Sequence, residues 1–157
     1  MVGLAALLRF LNLMGCGVVQ GTYTFEMVVV VPALNEAPPK LSAQIHRALF
    51  KNLPDRYMPW FASTGGAAAV ALLLFGGDRV SPPAKRLYAL GLPFWFSTSV
   101  ILVGRSRPLD RQISTWVETT FPEDQYPAAR QAWNRLMYIR GPLGAIGFSS
   151  FVAAAVS

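Results

Sequence analysis

The residues best suited to chemistry lie near the C-terminus. Trp133, Asn134, Met137 and Arg140 fall within eight positions, and an apolar run from Gly141 to Val156 follows them. A guanidinium at membrane depth costs roughly 2.5–3.5 kcal/mol at a helix centre. Arg140 must therefore face the protein interior and meet a partner. Glu26 is the acidic residue that stands well inside another apolar run. Paired, the two make either a clasp that holds helix register or a reaction site. In the second case Glu26 is a general base, while Arg140, Asn134 and Trp133 position an oxyanion or a stacked ring. Arg130, Trp133, Met137 and Arg140 are spaced 3, 4 and 3, so they form one helical stripe.

Four apolar segments must position these groups, at about residues 4–31, 58–75, 87–103 and 127–156. Each approaches or exceeds the roughly 20 residues that a bilayer-spanning helix needs. Long, short and long connections join them. The expected fold is all-α, a single domain over residues 1–157: a four-helix transmembrane bundle running up-down-up-down. A short amphipathic helix, residues 40–52, is expected in the first long loop. Leu41, Ile45, Ala48 and Leu49 line one side of it, and Lys40, Gln44, Arg47 and Lys51 the other.

On segment one, Gly15, Gly17 and Gly21 offer a small face for close helix approach, and Gln20 and Thr24 share a polar face. Gly65-Gly66-Ala67-Ala68-Ala69 is a packing surface. It lacks the Lys and Ser/Thr of a nucleotide-binding loop. Residues 104–126 read as a second long loop. The cationic count, led by Lys40, Arg47, Lys51, Arg56, Arg105, Arg107 and Arg111, favours long loops in the cytoplasm.

Composition agrees with a membrane protein. Of 157 residues, 53% are hydrophobic and 14% charged, with a mean hydropathy of +0.37. A soluble domain carries about 25% charged residues. The net charge of +6 resides between apolar runs, where it suits lipid headgroups better than nucleic acid. One cysteine, Cys16, excludes an intrachain disulfide and reads as a small buried side chain. The single histidine, His46, has no second histidine at metal-binding spacing and reads as a surface residue. No metal site or cofactor is expected.

Pro108-Leu109-Asp110-x-x-Ile113-x-x-Trp116, followed by Trp133-x-x-Leu136-x-x-x-Arg140, resembles the second half of the DUF1772, or anthrone oxygenase-like, membrane protein family. The stretch from Gly21 to Pro32, with a polar residue in the helix and a proline at its exit, is similar too. The resemblance covers the four-segment layout, though its specific motifs span only about 30 residues. It implies oxygenation of polycyclic anthrones to anthraquinones without a conventional cofactor. The chain departs from the family pattern twice. Asp110 stands where an Asn is frequent, and Met137 where a His is frequent. Methionine cannot abstract a proton.

Three functions are consistent with these residues. The first is a structural or accessory multi-pass membrane protein with an intramembrane Glu26–Arg140 pair. The second is a cofactor-independent oxygenase acting on flat aromatic substrates, with Gln20, Thr24, Asp110, Trp116, Trp133 and Met137 contacting the substrate. The third is a small transporter or lipid-binding module with a polar path along Gln20, Thr24 and Asn134. The expected setting is the lipid bilayer of a bacterial-type inner membrane, with an apolar aromatic molecule and a second copy of the chain as partners.

Overall fold

The computed structural model describes residues 3–50 and 57–157. Among them the chain is helical, with no strand. We number the α-helices α1 (Leu4–Phe25), α2 (Val31–Glu36), α3 (Pro39–Phe50), α4 (Met58–Phe75), α5 (Pro82–Ile101), α6 (Arg107–Glu118) and α7 (Tyr126–Val156). A π-helical segment, Glu26–Val30, joins α1 to α2, and a second, Leu102–Ser106, joins α5 to α6. Four helical rods are thus long and apolar enough to cross a membrane: Leu4–Glu36, Met58–Phe75, Pro82–Glu118 and Tyr126–Val156.

Two rods are longer than hydropathy indicates. The stretch expected to be a loop after residue 103 continues as π turn and α6, because a helix needs an unbroken backbone ladder and not an unbroken apolar run. Pro108 falls in the first turn of α6, where its missing N–H costs nothing. Pro32 similarly opens α2. The third rod starts at Pro82, five residues before the apolar segment, because Ser81 caps it by accepting from the Ala84 N–H at 3.2 Å.

The main core lies among α1, α4, α5 and α7, around Tyr88, Trp95 and Phe151. A second cluster (Val30, Val31, Leu34, Phe50, Trp133, Met137) begins at Val30, the last residue of the first π segment. A third joins Ala43 of α3 to Ile113 of α6 and Tyr126 of α7. At the opposite end, Arg9 donates to the Arg79 carbonyl at 3.0 Å and Ser81 to the Ser157 carbonyl at 3.4 Å.

Helix α3 is buried on a face other than the apolar one. Ser42, Ala43, His46 and Phe50 point inward, while Leu41, Ile45 and Leu49 stay exposed. The end of the expected 40–52 helix, with Lys51 and Arg56, lies outside the described residues.

The small-residue faces separate into functioning and idle positions. A Cβ on Gly15 would stand 2.6 Å from the Phe61 carbonyl oxygen, and one on Gly65 would stand 2.6 Å from Cys16 Sγ. Asn12 fastens the same contact by donating to the Gly65 carbonyl at 2.9 Å. Cys16 is buried, as expected. Gly17 makes only ordinary contact with Phe148, and Gly21 meets nothing. Gly15→Ala should therefore force α1 from α4 and lower stability by roughly 1–3 kcal/mol. Gly21→Ala should be neutral or stabilise by about 0.5–1 kcal/mol through helix propensity. Thermal melts of the two variants in detergent check this, and equal effects would refute the close-packed face at Gly15.

Candidate functional site

The stripe on α7 is the spine of the site. Arg130, Trp133, Met137 and Arg140 are all buried, and they face α1, α3 and α6. Trp133 Nε1–H donates to Asp110 Oδ1 at 2.8 Å. The same oxygen lies 3.1 Å from His46 Nε2. His46 Nδ1 lies 3.2 Å from Arg130 Nη1. Arginine only donates, so Nδ1 must be the acceptor. The ring is then neutral with its proton on Nε2, which it gives to Asp110. One Asp110 oxygen thus gathers α3, α6 and α7.

Aromatic packing holds this arrangement. The His46 ring lies 4.7 Å from Phe50 and 5.0 Å from Trp133, and the Arg130 guanidinium rests 4.4 Å from the Trp133 ring centre. His46 is therefore no surface residue: it is 0% exposed. Burial lowers its pKa first, and Arg130 adds to that, against the opposing pull of Asp110. With its lone pair filled by Arg130, the ring serves to position Asp110.

Beside Asp110 is a cavity of about 10 Å³, room for about one water. Glu26, Arg140, Asp110 and Trp133 line it, with Tyr23, Phe50, Met58 and Leu102. Both π segments supply it: Glu26 opens the first, and Leu102 opens the second. Such segments add a residue to a helical turn and are frequent at functional sites.

Glu26 and Arg140 share this cavity but form no ion pair. Among the described residues the carboxylates that meet a basic side chain are Glu118, paired with Arg47, and Asp110, hydrogen-bonded to the neutral His46 ring. Arg140 instead donates to Ser106 Oγ at 3.2 Å and contacts Met137 Sδ at 3.7 Å. Its guanidinium also lies 4.3 Å from the Tyr23 ring centre. Glu26 is 6% exposed and its buried Oε2 has no hydrogen-bond partner, nor has Arg140 Nε.

The other residues singled out from sequence lie elsewhere. Gln20 reaches across to the Gly141 carbonyl at 3.3 Å and to Thr24 at 3.2 Å, a link between α1 and α7 outside the cavity. Asn134 donates to Asn35 Oδ1 at 2.9 Å, in an open groove that Arg130 also lines. Trp116 lies beside Lys40 and Gln44 on another surface. Met137 contacts Arg140 and packs in the apolar cluster beneath the cavity. Sequence reasoning missed His46, Arg130's bond to it, Tyr23 and Ser106. The available signal was the i, i+4, i+8 stripe Ser42–His46–Phe50, which competes with the apolar stripe on α3 for the inward face. Among the described residues no group of three or more His, Cys, Asp or Glu side chains could hold a metal ion.

His46→Ala should leave buried partners on Asp110 and Arg130 unsatisfied and lower stability by roughly 2–3 kcal/mol. The unfolded chain protonates this ring near the ordinary value of about 6.5, whereas the folded chain protonates it only at lower pH. Acidification therefore favours the unfolded state, and stability present above pH 6.5 is lost as pH falls below it. Melting temperatures from pH 8 to 5 should decline for the wild type and flatten for His46→Gln. Parallel profiles would contradict the neutral, buried ring.

No protein-family model, curated protein or solved structure matches this chain, so the reading of the site rests on its own residues.

Proposed function

We propose that this multi-pass membrane protein moves a proton on a flat, apolar substrate at the Glu26–Asp110–Arg140 cavity. One observation carries the reading. Two buried charged side chains line the same small space, yet each keeps an atom without a partner. A structural clasp would bring the two together, because an unpaired buried charge is costly. A buried polar group without a partner calls for an explanation, and a catalytic role is one.

In this reading Glu26 takes the proton from an activated C–H. Arg140 faces the oxygen on which the resulting negative charge collects. An anthrone deprotonated in this way is an electron-rich carbanion. It reacts with O2 to a peroxide, which loses water to give the anthraquinone: anthrone plus O2 yields anthraquinone plus water, with no further reductant. The resemblance to the anthrone oxygenase-like family supports this chemistry. Where that family often has a histidine, this chain has Met137 against Arg140, so the proton acceptor here is Glu26.

The finer features of the fold belong to the same proposal. The four rods run alternately across a bacterial-type inner membrane, with α3 at the headgroup level and its Leu41–Ile45–Leu49 stripe toward lipid. The scaffold reading retains one supporting observation, the hydrogen-bonded set His46–Asp110–Trp133 that ties three helices. A polar transport path along Gln20, Thr24 and Asn134 has none, because no described cavity joins them.

Oxygen uptake by the detergent-purified protein with a polycyclic anthrone, with mass spectrometry of the product, separates the readings. Loss of a general base costs about 10²–10⁴-fold, so Glu26→Gln should lose at least 100-fold while keeping its helicity. Wild-type uptake no faster than buffer, or full uptake in Glu26→Gln, would leave the scaffold.

A further inference from the structure

A second, larger cavity opens between α4 and α5 on the flank of the bundle. It holds about 240 Å³, near the lower end of the roughly 300–1,000 Å³ typical of small-molecule sites. Trp95 forms its inner wall and Phe96 stands at its mouth, with Ser63 and Ser99 on the two helices. Among the residues that line it, Phe96 and Val103 are exposed and apolar, and Arg107 adds a cation to the lining. It lies on spans long and apolar enough to cross a membrane, from which the mouth would open toward the bilayer.

Three residues, Tyr23, Met58 and Leu102, line both this cavity and the small one that holds Glu26 and Arg140. They form the wall that the two share, the place where a neck between them would open. Tyr23 is fixed on its far side by the Arg140 guanidinium at 4.3 Å. Met58 is unbranched and adaptable, the kind of side chain that lets a neck widen.

We infer that the α4–α5 cavity is the binding site for a planar, fused-ring molecule that enters from the bilayer, with its one polar edge directed through the Tyr23–Met58–Leu102 neck toward Glu26 and Arg140. This rests on the acid–base reading above and adds the location and route of the substrate. The aromatic walls suit stacked or edge-on ring contacts. The space beyond the neck holds about one water, so a carbonyl or hydroxyl edge can replace that water, while a lipid acyl chain brings no group that answers the two charges.

The test uses the four tryptophans as reporters and bromine as quencher, in the intact detergent-purified chain. One probe is 9,10-dibromoanthracene. The other is a phosphatidylcholine with brominated acyl chains. The arene should quench tryptophan emission saturably at one molecule per chain. Ser99→Leu and Ser63→Leu, which place apolar bulk in the cavity without burying a polar group, should each weaken arene binding at least tenfold. Glu26→Gln should leave it within threefold. Non-saturable quenching untouched by either leucine, or displacement of the arene by the brominated lipid, would overturn the site.

Turnover separates this from the reading it rests on. Saturable arene binding in a chain that consumes no oxygen with an anthrone keeps the pocket and removes the acid–base role of Glu26. Wild-type oxygen uptake in both leucine variants keeps the base and removes the pocket.

Discussion

One carboxylate oxygen organises the end of this molecule where α3, α6 and α7 meet. A charge inside an apolar bundle has lost its hydration, and donors from the protein must replace what water supplied. Asp110 Oδ1 receives the indole N–H of Trp133 and the imidazole N–H of His46. Those two donors come from different helices, and Asp110 belongs to a third. The polar requirement of a single atom therefore sets the separation of α3, α6 and α7. Arg130 extends the set: it can only donate, so it selects the His46 tautomer that points a proton at Asp110. If the ring flipped or gained a proton, Arg130 would face an N–H and the arrangement would open.

The other end of the bundle is held by a different force. There α1 and α4 approach until backbone touches backbone at Gly15 and Gly65, and Asn12 closes the contact with one hydrogen bond. Between lipid-exposed helices the hydrophobic effect gives little, and association rests on close van der Waals packing and such bonds. The molecule thus joins a dry, tight end to a polar end with small internal spaces.

How much of this was legible in the sequence follows from what each residue depends on. The α7 stripe is a matter of periodicity, and its 3, 4, 3 spacing put Arg130, Trp133, Met137 and Arg140 on one buried face as expected. The convergence of Glu26 and Arg140 followed from the cost of burying charge, and they do line one cavity. Their direct pairing did not follow, because Ser106, Met137 and Tyr23 meet the guanidinium instead. His46 was misread because α3 has two competing stripes. Its more apolar one faces outward, a choice that tests hydropathy alone against the presence of lipid. The extension of α5 into α6 was invisible to hydropathy, which ends where the apolar residues end. Gly21 has the right type and spacing for a packing face, but no helix approaches it.

The two π segments had no sequence signature, yet they explain why the cavity exists. An α-helix carries its side chains at about 100° per residue, so a rod that packs well in the main core keeps the same face turned inward along its length. An extra residue in one turn breaks that continuity. On the first rod it comes at Glu26, just past Tyr23, and on the third it spans Leu102 to Ser106. Below these points both rods serve the core around Trp95 and Phe151. Above them the first rod serves the cluster around Trp133 and Met137, and the third packs Leu109 against it. The cavity occupies the level of the mismatch, where neither packing scheme fills the space. A cavity with polar walls is therefore found at the level where the bundle changes register, and the residues that mark the change, Glu26 and Leu102, are residues that line it.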